Sequence, residues 1–508
     1  MNRQSSLALF GLILSASLAT AQETQSLGDT ARIIKAQKQA ARNATGGSSP
    51  SKPTAAPAAN TGSAAPQPAA VAATAATSPE VEIVPDLNPN VATDIHGMEK
   101  YQAAIRQLLQ QEKFTEIDRI AAEARMTKAR FAGGYWKVHT IYLALEHPGT
   151  KTSAGEAEWT QHLARLEKWK EQFPNSITAR IALAESYHSY GWKARGTGYA
   201  DQVTDEGWKL LAERVHKGQA ILEEAETLPE KCPEWYVSRI ENARSEGWEQ
   251  DRLQALFQKA AAFEPEYYYY YRMLADSLLP KWGGEEGDAA RFAAAVADGI
   301  GGKKGDLIYF EIATTLVCAC GNVHGQGLNG LSWPRIKAGY SALQELYGTS
   351  ISHLNEIALI AFRAADFDYA VIAFTEIGDN WDKAVWRTVD SFYNFRDQAT
   401  IPHIKNSLAA ATENVKTPEG QFFSYALGAE MERRYHQPFL DCVKASPGYT
   451  QPWIGLLVEL TKEGAVRDVL FSGADAPSGC IRPLLEKAIL PTPPKPDYWV
   501  MVQMDVNR

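Results

Sequence analysis

Three stretches bring together side chains able to grip a ligand. Trp192, Arg195 and Tyr199 fall within one short segment, interleaved with Gly196 and Gly198. A guanidinium beside aromatic rings and permissive backbone is how many proteins hold a carboxylate or a peptide, through bidentate hydrogen bonds and stacking. The same composition also serves a structural end, in which the glycines let a long interhelix connection pack and Arg195 bonds the loop's own carbonyls. Tyr267 to Tyr271 is an unbroken run of rings. Five consecutive residues cover the whole circumference of a helix, so not all five can face one core. Tyr268, Tyr271 and Ala275 are the expected buried stripe, which leaves Tyr267, Tyr269 and Tyr270 at interhelix seams or as a shelf for a peptide or glycan. Trp282, in Leu279-Pro280-Lys281-Trp282, is the third contact candidate.

Chemistry beyond binding finds little support. Cys318-Ala319-Cys320 with His324 offers zinc-ligand types, but a two-residue step throws the thiols to different sides of a helix and no second pair lies nearby in sequence. Both cysteines are expected to pack near the end of an apolar helix, with His324 in the glycine-rich loop Gly321 to Gly330. Gly299-Ile300-Gly301-Gly302-Lys303-Lys304 follows no strand and has no Ser or Thr after its lysines, so it reads as a loop between helices rather than a phosphate cradle. Glu285 and Glu286 are adjacent acids in a Gly-rich loop, normally solvated. No Ser, Cys or Thr nucleophile stands in a familiar setting. The sequence therefore assigns no catalytic residue, no metal and no cofactor.

The elements that must position these residues are mostly helices. Trp159, Leu163, Leu166, Trp169 and Phe173 recur at steps of three to four, on one helix face, and Pro174-Asn175-Ser176 breaks that helix and caps the next. Further helices are expected at about 176–193, 204–227, 234–247, 251–263, 266–279, 288–298, 306–320, 334–347, 352–364 and 368–377, joined mostly by short connections that favour antiparallel neighbours. Asn355 to Trp386 carries the clearest pair: Ala358, Ala370 and Phe374 stand at the small and aromatic contact positions of a tetratricopeptide unit. Beyond about residue 434 the period changes. Ile454, Leu456, Val458 and Leu460 alternate, Thr461 to Gly464 supplies a turn, and Ala465 to Phe471 returns as a partner strand. Ile481 to Ile489 has a helical period, the Pro491 to Pro496 cluster ends it, and Tyr498 to Asp505 alternates again. The order strand, strand, helix, strand describes a small α+β module.

Composition bounds the function. The chain has 508 residues, 45% of them hydrophobic, enough for more than one domain. With 51 basic and 60 acidic residues its net charge is −9. No basic stripe interleaved with aromatics appears, and that argues against nucleic acid. Arg3, the apolar run Leu7 to Leu18 and Ala19-Thr20-Ala21 have the form of a signal peptide over residues 1–21, with a mature start at Gln22 and a periplasmic or secreted destination. No Cys follows that site to take a lipid, and no other apolar run approaches the ~20 residues of a spanning helix. Residues 22–95 are rich in Ala, Pro, Ser and Thr and read as a disordered tether: Asp29 to Asn43 can form a transient helix, but the run from Gly46 to Ser78 cannot bury enough apolar surface to offset ordering entropy. Five cysteines, an odd number, leave at least one free or paired between molecules. Cys232, just before Pro233 at a helix start, is expected free.

Two resemblances attach to particular residues. Trp192-Lys193-Ala194-Arg195-Gly196-Thr197-Gly198-Tyr199, Phe263-Glu264-Pro265-Glu266-Tyr267 with its tyrosine run, and Leu279-Pro280-Lys281-Trp282 make the segment resemble a bacterial tetratricopeptide-like family known only as a domain of unknown function. That likeness implies an α-solenoid of helix hairpins over residues 96–410 and no activity. The tail, with Cys442 on a helix before the hairpin, Gly455 at the first strand, the Lys462-Glu463-Gly464 turn, Val466, Cys480 opening the next helix and the Pro-rich exit, resembles the C-terminal domain of the TonB energy-transducer superfamily. The likeness is greatest to the two-cysteine variety of gliding-associated proteins and implies a TonB-like α+β module over residues 434–508. The residues between Cys442 and Cys480 would form the hairpin that brings the two helices within reach, so a disulfide is expected, against the alternative of two buried thiols.

These readings converge on an exported, non-enzymatic protein-interaction or scaffold protein of the bacterial cell envelope. It is expected to bind a protein or peptide through the helical-repeat groove, with Trp192, Arg195, Tyr199, Tyr267 and Trp282 as contact residues and no nucleic acid or stable membrane insertion. The rival is a cell-wall glycan- or peptide-processing enzyme where the Trp192–Tyr199 and Leu279–Trp282 loops converge. An enzyme should bring Arg195 to a carboxylate or histidine in a closed cavity, whereas a binder should have an open concave face without perturbed acids.

Overall fold

Polar residues fix where many of the helices begin. Ser176, Thr204, Ser350, Asp366, Thr388 and Thr417 each accept a hydrogen bond from the backbone N–H three residues on, satisfying an amide that no preceding turn can reach. Pro233, Pro334 and Pro418 stand in first turns, where a missing N–H costs nothing. The computed structural model describes residues 86–149, 154–317, 327–446, 448–473 and 475–506. The signal segment, the tether as far as residue 85, and Cys318, Cys320 and His324 lie outside the described residues.

The fold is mainly helical, with a small antiparallel sheet near the C-terminus. The body comprises α1 (Gly97–Gln110), α2 (Phe114–Thr127), α3 (Lys137–Leu145), α4 (Glu156–Gln172), α5 (Ile177–Arg195), α6 (Asp205–Glu226), α7 (Pro233–Ser245), α8 (Gln250–Phe263), α9 (Tyr269–Ser277), α10 (Asp288–Ile300), α11 (Gly302–Leu316), α12 (Trp333–Tyr347), α13 (Ile351–Arg363), α14 (Phe367–Ile377), α15 (Lys383–Trp386) and α16 (Val389–Thr400). From α4 to α12 each helix packs on the next, and α1, α3, α5, α7, α9, α11 and α13 also touch in succession. Small residues permit this nesting. Ala358 and Ala370 are fully buried between α13 and α14, with Phe374 beside them. Asn355 ties the pair to α15: its side-chain oxygen accepts from the Asp382 amide at 2.9 Å and from the Trp386 indole at 2.7 Å.

The connection between α2 and α3 folds back to touch much later helices. The Arg130 guanidinium lies 4.1 Å from the Trp136 ring and 4.4 Å from the Tyr347 ring, and it pairs with Glu266 at 2.9 Å. Tyr135 stacks on His353 of α13 at 4.3 Å. Gly133, at φ +77°, sits where a Cβ would stand 2.5 Å from Ser350 Cβ, so a larger residue would push the connection away.

Three sequence expectations need correction. All five tyrosines from Tyr267 to Tyr271 are buried, so they form no open shelf. Their helix starts only at Tyr269, which lets Tyr267 and Tyr268 turn inward ahead of it instead of competing for one helical face. The segment at Gly299–Lys304 is a one-residue break at Gly301 (φ +73°), after which Lys303 and Lys304 already belong to α11. The tail module reaches back beyond residue 434: α18 (Pro418–Ala445), preceded by α17 (Lys405–Asn414), contributes Phe423, Leu427 and Met431 to the tail's own core.

In the tail, β1 (Trp453–Leu460) is central, flanked by β2 (Val466–Phe471) and β3 (Tyr498–Asp505), all antiparallel in the order β2-β1-β3. Ile454, Leu456, Val458 and Leu460 bury one face, as the period of two requires, and α18 and α19 (Ser478–Glu486) bring Phe439 and Ile481 into the same core. Gly464, at φ +83°, makes the hairpin turn. Cys442 and Cys480 form a disulfide with Cα atoms 5.8 Å apart, while Cys232 is a buried free thiol. The body meets the tail through α16. Arg482 Nη2 reaches Asp397 at 2.6 Å with both groups buried, and Asn394 donates to the Ala476 carbonyl at 3.1 Å.

Candidate functional site

Trp192 stands in the last turns of α5 and Trp282 ends a short 3-10 turn begun by Pro280, so both rings are delivered by the C-terminal ends of helical elements. They meet edge to face with ring centres 6.3 Å apart. Together with Trp159 of α4, which stacks on Tyr190 at 4.9 Å, they line a surface cleft of about 530 Å3. Two of the three indole donors are satisfied inside the protein, and Trp159 Nε1 is buried without a partner. Trp192 Nε1 lies 3.1 Å from both His188 Nε2 and Ser245 Oγ, and Trp282 Nε1 donates to Asp276 at 3.1 Å. Arg244 pairs with the same Asp276 oxygen at 2.5 Å and lies 4.6 Å from the Trp282 ring centre. The edges of the rings are thus fixed, leaving ring surface for a guest.

The polar wall of the cleft carries Glu146, His188, Glu241 and Arg244. Burial and then the neighbouring Glu146 push the Glu241 carboxyl up to about 8, against the pull of Arg244. Burial, reinforced by Arg244, drives His188 down to about 3, so the ring is neutral at pH 7. Glu146 in turn accepts a hydrogen bond from the Ser189 hydroxyl.

The five contact residues named from the sequence separate in space. Trp192 and Trp282 share the cleft. Arg195 flanks it, its guanidinium 5.7 Å from Trp192 and 5.5 Å from Trp208, donating to the carbonyls of Gly196 (3.1 Å) and Gly198. Among the described residues no carboxylate or histidine pairs with Arg195. Its loop therefore adopts the structural arrangement, with glycines turning and the arginine tying the turn. Tyr199 is exposed beyond the cleft lining, and Tyr267 is fully buried with its hydroxyl on Glu234.

Sequence reasoning missed His188, Glu241 and Arg244. The signal was faint but present: His188 precedes Trp192 by four residues and Glu241 precedes Arg244 by three, each pair on one helix face. Lys303 and Lys304 are paired with Glu345 and Glu266, which leaves no free cationic pair for a phosphate. Among the described residues no cluster of three or more His, Cys, Asp or Glu is arranged to hold a metal, and no helix is long and apolar enough to cross a membrane.

No protein-family model, curated protein or solved structure matches the chain. Its class is defined by its own fold: a mainly helical protein closed by a three-stranded antiparallel sheet and a disulfide.

Proposed function

We propose that the chain is an exported, non-enzymatic interaction protein of a bacterial envelope, whose helical body holds a protein or peptide segment in the Trp192–Trp282 cleft. The body is read as a tetratricopeptide-like solenoid, and the tail as a TonB-like module offering a second contact surface. The carrying observation is the cleft: ring surface from Trp192 and Trp282, with the indole donors bonded internally, beside Glu146 and Arg244. Aromatic anchors flanked by charge are what peptide-binding hot spots are made of. The successive contacts of the odd-numbered helices support the solenoid reading. In the tail, Phe422 and Tyr425 of α18 are 77% and 80% exposed, and Phe422 borders a groove walled by Pro491 and Pro494, an apolar surface suited to a partner. The disulfide fits an oxidising compartment.

A photo-crosslinking amino acid placed at Lys193, on the cleft, and at exposed Lys259, on α8, tests the reading. The Lys193 position should yield a discrete adduct that Trp282→Ala abolishes, and Lys259 none. Equal yields from both positions would remove the cleft from the account.

A second reading, a glycan- or peptide-processing enzyme at the same cleft, is favoured by one observation: Glu241 retains its proton near neutrality beside Glu146. Glu241→Gln separates the two, since it preserves a hydrogen-bond donor for a binder and removes the acid an enzyme would need.

A further inference from the structure

Inside the helical body lies a second cavity, of about 480 Å3, that neither resemblance nor cleft accounts for. Its walls come from residues far apart in sequence: Tyr135, His139 of α3, Tyr269 and Arg272 of α9, Glu356 of α13 and Arg387 beyond α15. A volume of this size falls in the range of about 300–1,000 Å3 typical of small-molecule sites.

The polar groups around it are held firmly but incompletely satisfied. His139 Nδ1 is 2.9 Å from Glu234, which fixes the ring and leaves Nε2 available, and the imidazole stacks on Tyr269 at 3.5 Å. Tyr269 accepts from the Tyr268 hydroxyl at 3.0 Å and the Trp136 amide at 3.4 Å, so its own proton remains to be donated. Arg272 donates through Nε to Thr315 at 2.6 Å, and Nη1 stands 3.5 Å from the fully buried Glu311. Glu356 Oε2 has no hydrogen-bond donor and lies 3.5 Å from His353 Nε2. The Arg272 and Glu356 side chains keep 26% and 20% of their surface open. Glu356 and Arg272, both partly open, thus line the same chamber with Tyr135, Tyr269 and the Asp382 carboxylate, the buried Oε2 of Glu356 being turned to His353.

We propose that this chamber binds a free α-amino acid, or a peptide of two or three residues with both termini free, its carboxylate on Arg272 and its ammonium group on Glu356. Arg272 offers the planar fork that suits a carboxylate, and Glu356 offers the open part of a carboxylate whose Oε2 is taken up beside His353. Burial pushes the Glu356 carboxyl up to about 7, and a bound ammonium would draw it back to the charged form. These residues are not those of the tryptophan cleft, so the two sites stand or fall separately.

The test uses the full mature chain, with native mass spectrometry to screen free amino acids and di- and tripeptides, and calorimetry on the binders in free, N-acetylated and C-amidated forms. At least one free-terminus ligand should bind with Kd below about 100 μM. Capping either end should weaken it at least tenfold, and Glu356→Gln should do the same while the Lys193 crosslink persists. Should Glu356→Gln fail to fold by circular dichroism, the capped series on the unaltered chain decides alone. Absence of any free-terminus binder below about 100 μM, equal binding of capped forms, or unchanged binding by a folded Glu356→Gln chain would overturn the assignment.

Discussion

The helical body and the C-terminal module hide apolar surface in different ways. The body's core is extensive enough to hold ionisable side chains inside it: Glu311 and His353 are buried there, His139 is bonded to buried Glu234, and polar-walled cavities open among the helices. The tail has three strands, α18 and α19 to close over, and it adds a covalent tie between those helices at Cys442 and Cys480. Its groove at Phe422 is walled by apolar and proline residues, with Glu419 and Thr492 at its rim. A large core can bear the cost of unsatisfied polar groups, and a small one needs a staple. Candidate ligand sites with charged walls accordingly lie in the body, and the tail offers a surface.

The strongest way to break this contrast is at the junction. Arg482 and Asp397 are both buried and paired, so Arg482→Ala removes a cation from Asp397, leaving it Arg396 and the Phe471 amide, and empties the fully buried volume of the arginine side chain. The expected loss is about 3–5 kcal/mol, read by urea denaturation, with new protease cleavage between α16 and α18. If the variant unfolds at the same urea concentration as the parent chain, the two regions are not coupled through this pair.

The disulfide comes next. Closing the loop from Cys442 to Cys480 should contribute about 3–4 kcal/mol on the chain-entropy account, confined to the tail. Hydrogen exchange of the Cys442→Ser/Cys480→Ser chain should rise in β1 to β3 and α19 and stay unchanged in α3 to α14. Faster exchange throughout the body would merge the two regions into one cooperative unit.

Smaller still is the effect of pH on the body. Glu241, raised from 4.5 to about 8, keeps its proton in the folded chain where the unfolded chain has lost it. The folded state therefore binds more protons over that window, and its stability falls as pH rises from about 4.5 to about 8. Glu241→Gln should flatten the decline and gain about 1–3 kcal/mol over the parent at pH 8 relative to pH 5. Parallel pH profiles for the two chains would mean that the cleft carboxyl titrates normally.

How far the sequence disclosed this arrangement depended on distance along the chain. The tail hairpin, its Gly464 turn and the last strand were legible because alternation and turn chemistry are local, and β3 spans Tyr498–Asp505 as expected. The Asn355–Trp386 helix pair was legible from Ala358, Ala370 and Phe374 for the same reason. Trp192 and Trp282 were singled out individually, but their meeting, and the joining of His188 and Glu241 to them, is a product of tertiary packing. The interior chamber was invisible: His139, Arg272 and Glu356 each look like an ordinary residue of an amphipathic helix until α3, α9 and α13 are brought together. For the tyrosine run the sequence left packing and an exposed shelf both open, and the rings pack, because the first two precede the helix, where helical geometry does not govern them.

The central claim, that recognition resides in the cleft of the body and not in the tail's fold, is tested most directly by crosslink yield from Lys193 in three chains: the parent, Trp282→Ala, and Cys442→Ser/Cys480→Ser. The account predicts a discrete adduct from the parent, its loss in Trp282→Ala, and an undiminished adduct in the cysteine double variant. An adduct that survives Trp282→Ala yet disappears when the disulfide is removed would contradict it.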